Sequence, residues 1–201
     1  TGPRGPLFLA DQFRRLAQHH SPVYWVAGAA EMSEPWSLAD RLPGNVTVLG
    51  TIKPDVAVLE RDGGPIVRLV GQALKRRMKP RLADFRSEPG DPPTIAALHG
   101  HVERDALSER DVVYWALGGQ SSRRNLVTSP RVAHDPGSPQ ARELNDSGPH
   151  GCTIVDLDGD AVAEQRFVPT DVIRMERARL IVTAATQLTD LQSRIREAAR
   201  E

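Results

Sequence analysis

Several stretches of this chain carry side chains able to do chemistry. His99 and His101 stand two apart, directly after the apolar run Thr94–Leu98. On a continuous strand, residues two apart share a face, and two imidazoles on one face could chelate a single divalent ion. Gly100 between them signals that the strand has already ended, which leaves His99 as a lone ligand without a metal. Lys75 to Arg86 is the densest positive run, with Lys75, Arg76, Arg77, Lys79 and Arg81 at its head. Such a run either contacts phosphates or is a solvated face. Phe85 is its sole aromatic residue, so a platform for stacking single-stranded bases is not supported. Asp156, Asp158 and Asp160 surround Gly159, but no bidentate Glu follows at calcium-loop spacing. A hairpin turn at Asp158-Gly159 is the expectation. His19 and His20 point about 100° apart on a helix, so they read as its cationic C-terminal end rather than a metal pair. Cys152 is the one cysteine, which excludes an internal disulfide framework and a multi-cysteine zinc site. It is expected to be a buried, inert thiol.

The elements that must position these groups follow from apolar spacing. Leu9, Phe13 and Leu16 form the stripe of a first helix, with Pro6 suited to its opening position. Pro22–Val26 and Val46–Leu49 read as strands, with a short helical turn packed by Trp36, Leu38 and Leu42 between them. Val56–Glu60 and Pro65–Val70 flank Arg61-Asp62-Gly63-Gly64, a hairpin with Asp-Gly turn chemistry. Thr94–Leu98 and Val112–Leu117 are short continuous apolar runs bounded by turn signals, as in strands buried on both faces. In open α/β sheets, chemistry gathers beyond the carboxyl ends of such strands. His99 and the Gly118–Arg124 loop would sit there. Phe167–Arg174 reads as extended and Leu180–Val182 as a strand. A last helix from Thr186 carries Leu188, Leu191, Ile195 and Ala198 as its stripe.

With 201 residues the chain is long enough for one α/β domain with a proper core. Lys plus Arg and Asp plus Glu are each 26, so no global charge argues for nucleic acid or membrane. No apolar run approaches the roughly 20 residues of a membrane span, and no secretory leader is visible. These features point to a cytoplasmic location. The chain opens at Thr1 rather than Met and reads as the middle of a longer protein.

Taken in order, the segments Pro22–Val26 with Gly28, Leu42–Gly50, Ala97–His99, Tyr114–Gly118, Pro136–Arg142, Gly151–Asp158 and Phe167–Arg174 resemble the calcineurin-like metallophosphoesterases. Within that superfamily they most resemble the SbcD-like and YhaO-like DNA repair exonucleases. The resemblance implies an α/β fold, a sandwich of mixed β-sheets flanked by helices. Residues 1–165 would form the core and 166–201 the beginning of a small α+β capping domain. It also implies a pair of divalent ions, manganese or similar, held by a set of histidines, an asparagine and carboxylates. A two-metal phosphodiesterase places its ions about 3.5–4 Å apart. Here the family's metal-ligand asparagine and catalytic histidine are matched by Ala29 and Ala30, beside the retained Gly28 and Glu31. The two histidines of its later motif are matched by Gly119 and Ser121. His99 alone is kept. The family's first two motifs, Asp-x-His and Gly-Asp, would lie upstream of Thr1, leaving a fold N-terminally incomplete and a central sheet with an open apolar edge.

The expectation is therefore a non-catalytic, degenerate relative of a double-strand-break repair exonuclease, with a structural, DNA-binding or partner-binding role and no cofactor. By resemblance its partner is a coiled-coil repair ATPase, with DNA as a further candidate, and an upstream segment or partner chain would complete the sheet. The alternatives are an active metal-dependent phosphodiesterase with ligands supplied from elsewhere, or a single-metal hydrolase using His99 and His101.

Overall fold

The computed structural model describes residues 4–28, 42–50, 53–73, 81–108, 111–128, 131–184 and 186–198. Helix α1 (Arg4–Gln18) buries Pro6, Ala10 and Phe13. Pro6 is its third residue rather than its first, still within the turn where a missing N–H does no harm. The helix closes through His20 in the left-handed region (φ 54°), with Ser21 N donating to Leu16 O and His20 N to Ala17 O, each at 3.0 Å. That pair of bonds is the Schellman pattern. His20 thus fills a conformational position at the helix end.

Strands β1 (Val23–Trp25) and β2 (Val46–Val48) pair in parallel. Trp25 stacks at a tilt on Phe13 of α1, with ring centroids 5.9 Å apart. The Asn45 amide donates to Phe13 O (3.2 Å) and Ser21 O (2.9 Å), fastening the end of α1 to this ribbon. The helical turn read around Trp36 lies outside the described residues, apart from Leu42.

The centre of the molecule is a six-stranded mixed sheet. Its strands are β3 (Asp55–Arg61), β4 (Gly64–Ala73), β5 (Thr94–His99), β6 (Tyr114–Gly118), β7 (Arg124–Val127) and β8 (Val132–Asp135), in the order β3-β4-β5-β6-β8-β7. The four inner strands run parallel, while β3 and β7 close the two edges antiparallel. Asp62 (φ 53°) and Gly63 (φ 80°) make the β3–β4 turn, both in the positive-φ conformation that a type I′ hairpin requires. Helix α2 (Arg104–Ser108) lies in the connection from β5 to β6.

Val70, Ala96, Leu98, Trp115, Leu117 and Ala133 supply the sheet's share of the core, against Phe85, Val102 and Leu107 from the connections. Phe85 and Trp115 meet at 5.5 Å between ring centroids. The β1–β2 ribbon is set against β4 where Gly71 leaves room for Leu49 and Val26, and Ala73 N donates to Gly50 O at 2.8 Å. Among the described residues β1 and β2 pair only with one another.

Strands β9 (Gly151–Asp158) and β10 (Ala161–Pro169) form a separate antiparallel hairpin. Its turn is Gly159-Asp160, one residue later than expected, because Asp158 still pairs with Ala161 and Gly159 takes the first turn position at φ 54°. Cys152 is exposed, not buried: Thr153, Val155 and Leu157 take the inward positions of β9, so the alternation turns Cys152 outward. Leu180–Val182 forms no strand. Ile181 and Val182 are exposed, and among the described residues no strand pairs with them. Helix α3 (Leu188–Ala198) is present as expected, but none of its residues is buried. Among the described residues no helix is long and apolar enough to cross a membrane.

Candidate functional site

The parallel strands β5, β6 and β8 end together, so their last residues converge. His99 closes β5, opposite Gly118 at the close of β6. Because β7 lies beyond β8 in the sheet, the chain leaving β6 must cross over the end of β8 to reach it. Arg124 then pairs with Asp135, the last residue of β8. That crossing is why Asp135, a carboxylate, is 1% exposed. It accepts hydrogen bonds from the backbone amides of Gly137 (3.0 Å) and Gln120, which tie the crossing loop to the turn after β8. Burial pushes the Asp135 carboxyl above the usual carboxylate range. Those two amides and the charges of Arg124 and His99 oppose the rise. Tyr114 on β6 is pushed up to about 12, chiefly by burial and secondly by Asp135.

His99 is half-buried, and its Nδ1 is enclosed without a hydrogen-bond partner. Its Nε2 faces Gly119. A Cβ built on Gly119 would lie 3.5 Å from that nitrogen, so the structure does bring positions 99 and 119 together, with a hydrogen where a side chain would meet the imidazole. Gly119 holds φ 112°, a conformation L side chains rarely adopt.

Ser121 turns elsewhere. Its carbonyl accepts from Ser138 N at 3.0 Å, and its hydroxyl bonds the Asp146 carboxylate. That bond is the largest of the influences holding Asp146 below the usual carboxylate range. The Arg142 amide adds to it at 3.3 Å. Beneath this lies buried His150, whose Nε2 is 3.3 Å from Asp146 O. Its Nδ1–H donates to the Ser138 carbonyl oxygen at 3.0 Å, and the Ser138 hydroxyl lies 2.9 Å from the same nitrogen. Ser121, Ser138, Asp146 and His150 therefore bond to one another and brace the loop 136–150.

His101 follows Gly100 (φ 145°) beyond the end of β5 and is exposed, so the shared strand face that a His-x-His chelate needs is not formed. Arg81 is exposed, 3.8 Å from Asp84. Lys75, Arg76, Arg77 and Lys79, and likewise Ala29 and Ala30, lie outside the described residues. Among the described residues no group of three His, Cys, Asp or Glu side chains is placed to hold a metal ion. A pair of divalent ions does not fit the described residues at this strand end: one imidazole faces a glycine, and the serine of the later motif is bonded to Asp146.

Asp135, His134, Asp146 and His150 were not singled out from the sequence. His134 is buried on β8, with Nδ1–H donating to Asn125 Oδ1 on β7 and Nε2 accepting from the Thr153 hydroxyl on β9 at 2.7 Å. Burial, and then Arg123, hold its pKa below the ordinary histidine value, against a backbone bond at Arg124. The available signal was the pair His134-Asp135 following Val132-Ala133, two polar residues continuing an apolar strand.

No protein-family model matches the chain. The chain is similar in sequence to a protein named as a metallophosphoesterase. The relative that carries this is described as an uncharacterized metallophosphoesterase, YhaO, of Bacillus subtilis (strain 168). It is 26% identical over 203 residues, covering 94% of this chain and 49% of that protein. The chain thus spans about half the length of the curated relative it matches.

Proposed function

We propose that this chain is a non-catalytic relative of the metallophosphoesterases of DNA-repair exonuclease type, acting as a structural, DNA-contacting or partner-contacting unit. The observation that carries the reading is Gly119 facing His99 Nε2, with its Cβ position 3.5 Å away, where a metal-binding pair would need a second ligand. The commitment of the Ser121 hydroxyl to Asp146 supports it. In this reading residues 1–165 are a sandwich-type core and 166–201 open a capping domain. The β1–β2 ribbon is completed by further strands, from the same polypeptide or a partner chain, because two parallel strands alone make a marginal sheet. A coiled-coil repair ATPase is the partner the resemblance suggests, and the run at Lys75–Arg81 is the segment for DNA.

The test is manganese titration by calorimetry, with hydrolysis of bis(p-nitrophenyl) phosphate followed in parallel, on the chain and on His99→Ala. Neither tight binding nor turnover is expected. Two ions per chain, lost in the variant along with turnover, would sink the non-catalytic reading. One ion, lost in the variant, would favour a single-metal hydrolase at His99.

A further inference from the structure

The two edges of the six-stranded sheet are built differently. Strand β7 is four residues long, begins on an arginine and carries a register shift against β8. Such features blunt an edge against further pairing. Strand β3 has none of them. It runs for seven residues without Pro or Lys. The irregularity in its pairing lies on the other strand: Leu59 pairs with Val67 and Glu60 with Pro65, so the extra residue is Ile66 of β4. Among the described residues no strand pairs with the outer side of β3. Val56 and Val58 are 54% and 46% exposed, although Val70, which pairs with Val56, is fully buried. The core thus stops one strand short of this edge.

The order of side chains along β3 fits an antiparallel copy of itself. A two-fold axis through Val58 sets Val58 against Val58 of the second copy, Ala57 against its Leu59, and Asp55 against its Arg61. Opposite charges directly across a strand pair stabilise it, and like charges destabilise it. The axis makes each contact twice, so an Asp55–Arg61 pair closes both ends. Val56 lies diagonal to Val58 of the copy, within reach of it. The neighbouring registers are selected against. A slip by one residue in either direction sets Asp55 against the copy's Glu60 or its Asp62, like charge on like charge. Arg61 is exposed and makes no ion pair among the described residues. Asp55 Oδ2 accepts from Gly50 N at 3.0 Å, which orients the carboxylate and leaves Oδ1 for a guanidinium.

We propose that β3 is a dimerisation edge, at which two copies of this chain pair antiparallel about Val58 and join their central sheets into one. A contact along one strand is small, so the dimer belongs with the weak, concentration-dependent ones. The edge lies across the sheet from β8 and does not depend on the reading given above.

The experiment is sedimentation equilibrium of the whole chain at about 5 to 500 μM, a range that spans weak association. A monomer–dimer equilibrium with a dissociation constant of about 10–100 μM is expected. Val58→Lys sets two ammonium groups against each other on the axis and is expected to weaken association at least about tenfold. Arg61→Glu and, separately, Asp55→Lys place like charges at both ends, and each is expected to sediment as a monomer. Mixed in equal amounts, these two variants regain an opposite-charge pair at each end and are expected to form a heterodimer. Circular dichroism checks that each variant is folded, and Arg61→Glu, at an exposed position beside the hairpin turn, carries the test if Asp55→Lys is not. A monomer throughout the range overturns the proposal, as does a dimer that Val58→Lys and Arg61→Glu leave undiminished.

Discussion

Gly119 separates two effects that a substitution could bring. An added Cβ finds ordinary contacts, 3.5 Å to His99 Nε2 and to Gly100 N, so space is adequate. The backbone at φ 112° is not, because L side chains rarely adopt it. Gly119→Ala is therefore expected to lower stability by about 1–3 kcal/mol through strain alone, read as a shift of the urea midpoint at unchanged slope. His134 gives a pH prediction. Its folded pKa is depressed, so its contribution is fully present above the unfolded value near 6.5 and is lost as pH falls below it. Urea midpoints should decline from about pH 6.5 downward, and His134→Gln should flatten that decline. A wild-type profile flat to pH 5 would refute the assignment. His99 was legible because an apolar run ends on it. Asp135 was not: its burial comes from a loop that crosses the end of a strand, which depends on strand order and leaves no trace in local spacing.

Among the elements, the hairpin of β3 and β4 was readable because Asp62-Gly63 carries its turn in two residues. Strand β8 escaped notice because His134 and Asp135 break its apolar run, and only the neighbours Asn125, Thr153 and Gly137 make that polarity tolerable. Leu180–Val182 misled in the opposite direction, since three apolar residues do not make a strand without a partner to pair with. The seat of the β1–β2 ribbon on β4 rests on Gly71. There, a Cβ would fall 2.5 Å from Leu49 Cβ and 3.0 Å from Val26 Cγ2. Gly71→Ala is expected to cost about 1–3 kcal/mol by overpacking and to shift Trp25 emission to the red as the ribbon lifts. Unchanged emission and midpoint would mean that the ribbon is not seated there.

At the scale of the molecule, protection should be uneven. Strands β5 and β6 lie inside the sheet with Leu98 and Trp115 almost wholly enclosed, whereas α3 buries nothing. Hydrogen exchange is expected to show α3 amides opening at a free energy near zero, and those of β5 and β6 near the global value. Protection of α3 equal to that of β6 would mean that its apolar stripe is covered in solution. The α/β class was legible from alternating runs and turns, and resemblance carried it further. That α3 buries no face was not legible, since an apolar stripe reads the same whether or not anything packs on it.

The strand order β6-β8-β7 also bears on how the molecule assembles. Strand β7 comes earlier in the chain than β8 yet lies outside it, so neither can be laid down on β6 in chain order. Their antiparallel pairing is local and forms on the timescale of a hairpin, roughly 1–10 μs. In the folded sheet the later strand of the pair lies against β6, with Ala133 opposite Trp115, and the loop 119–123 crosses the sheet end. The loop over the His99 strand end and the β7–β8 pair therefore stand or fall together, and lifting that pair off β6 would expose Trp115 and His99 at once.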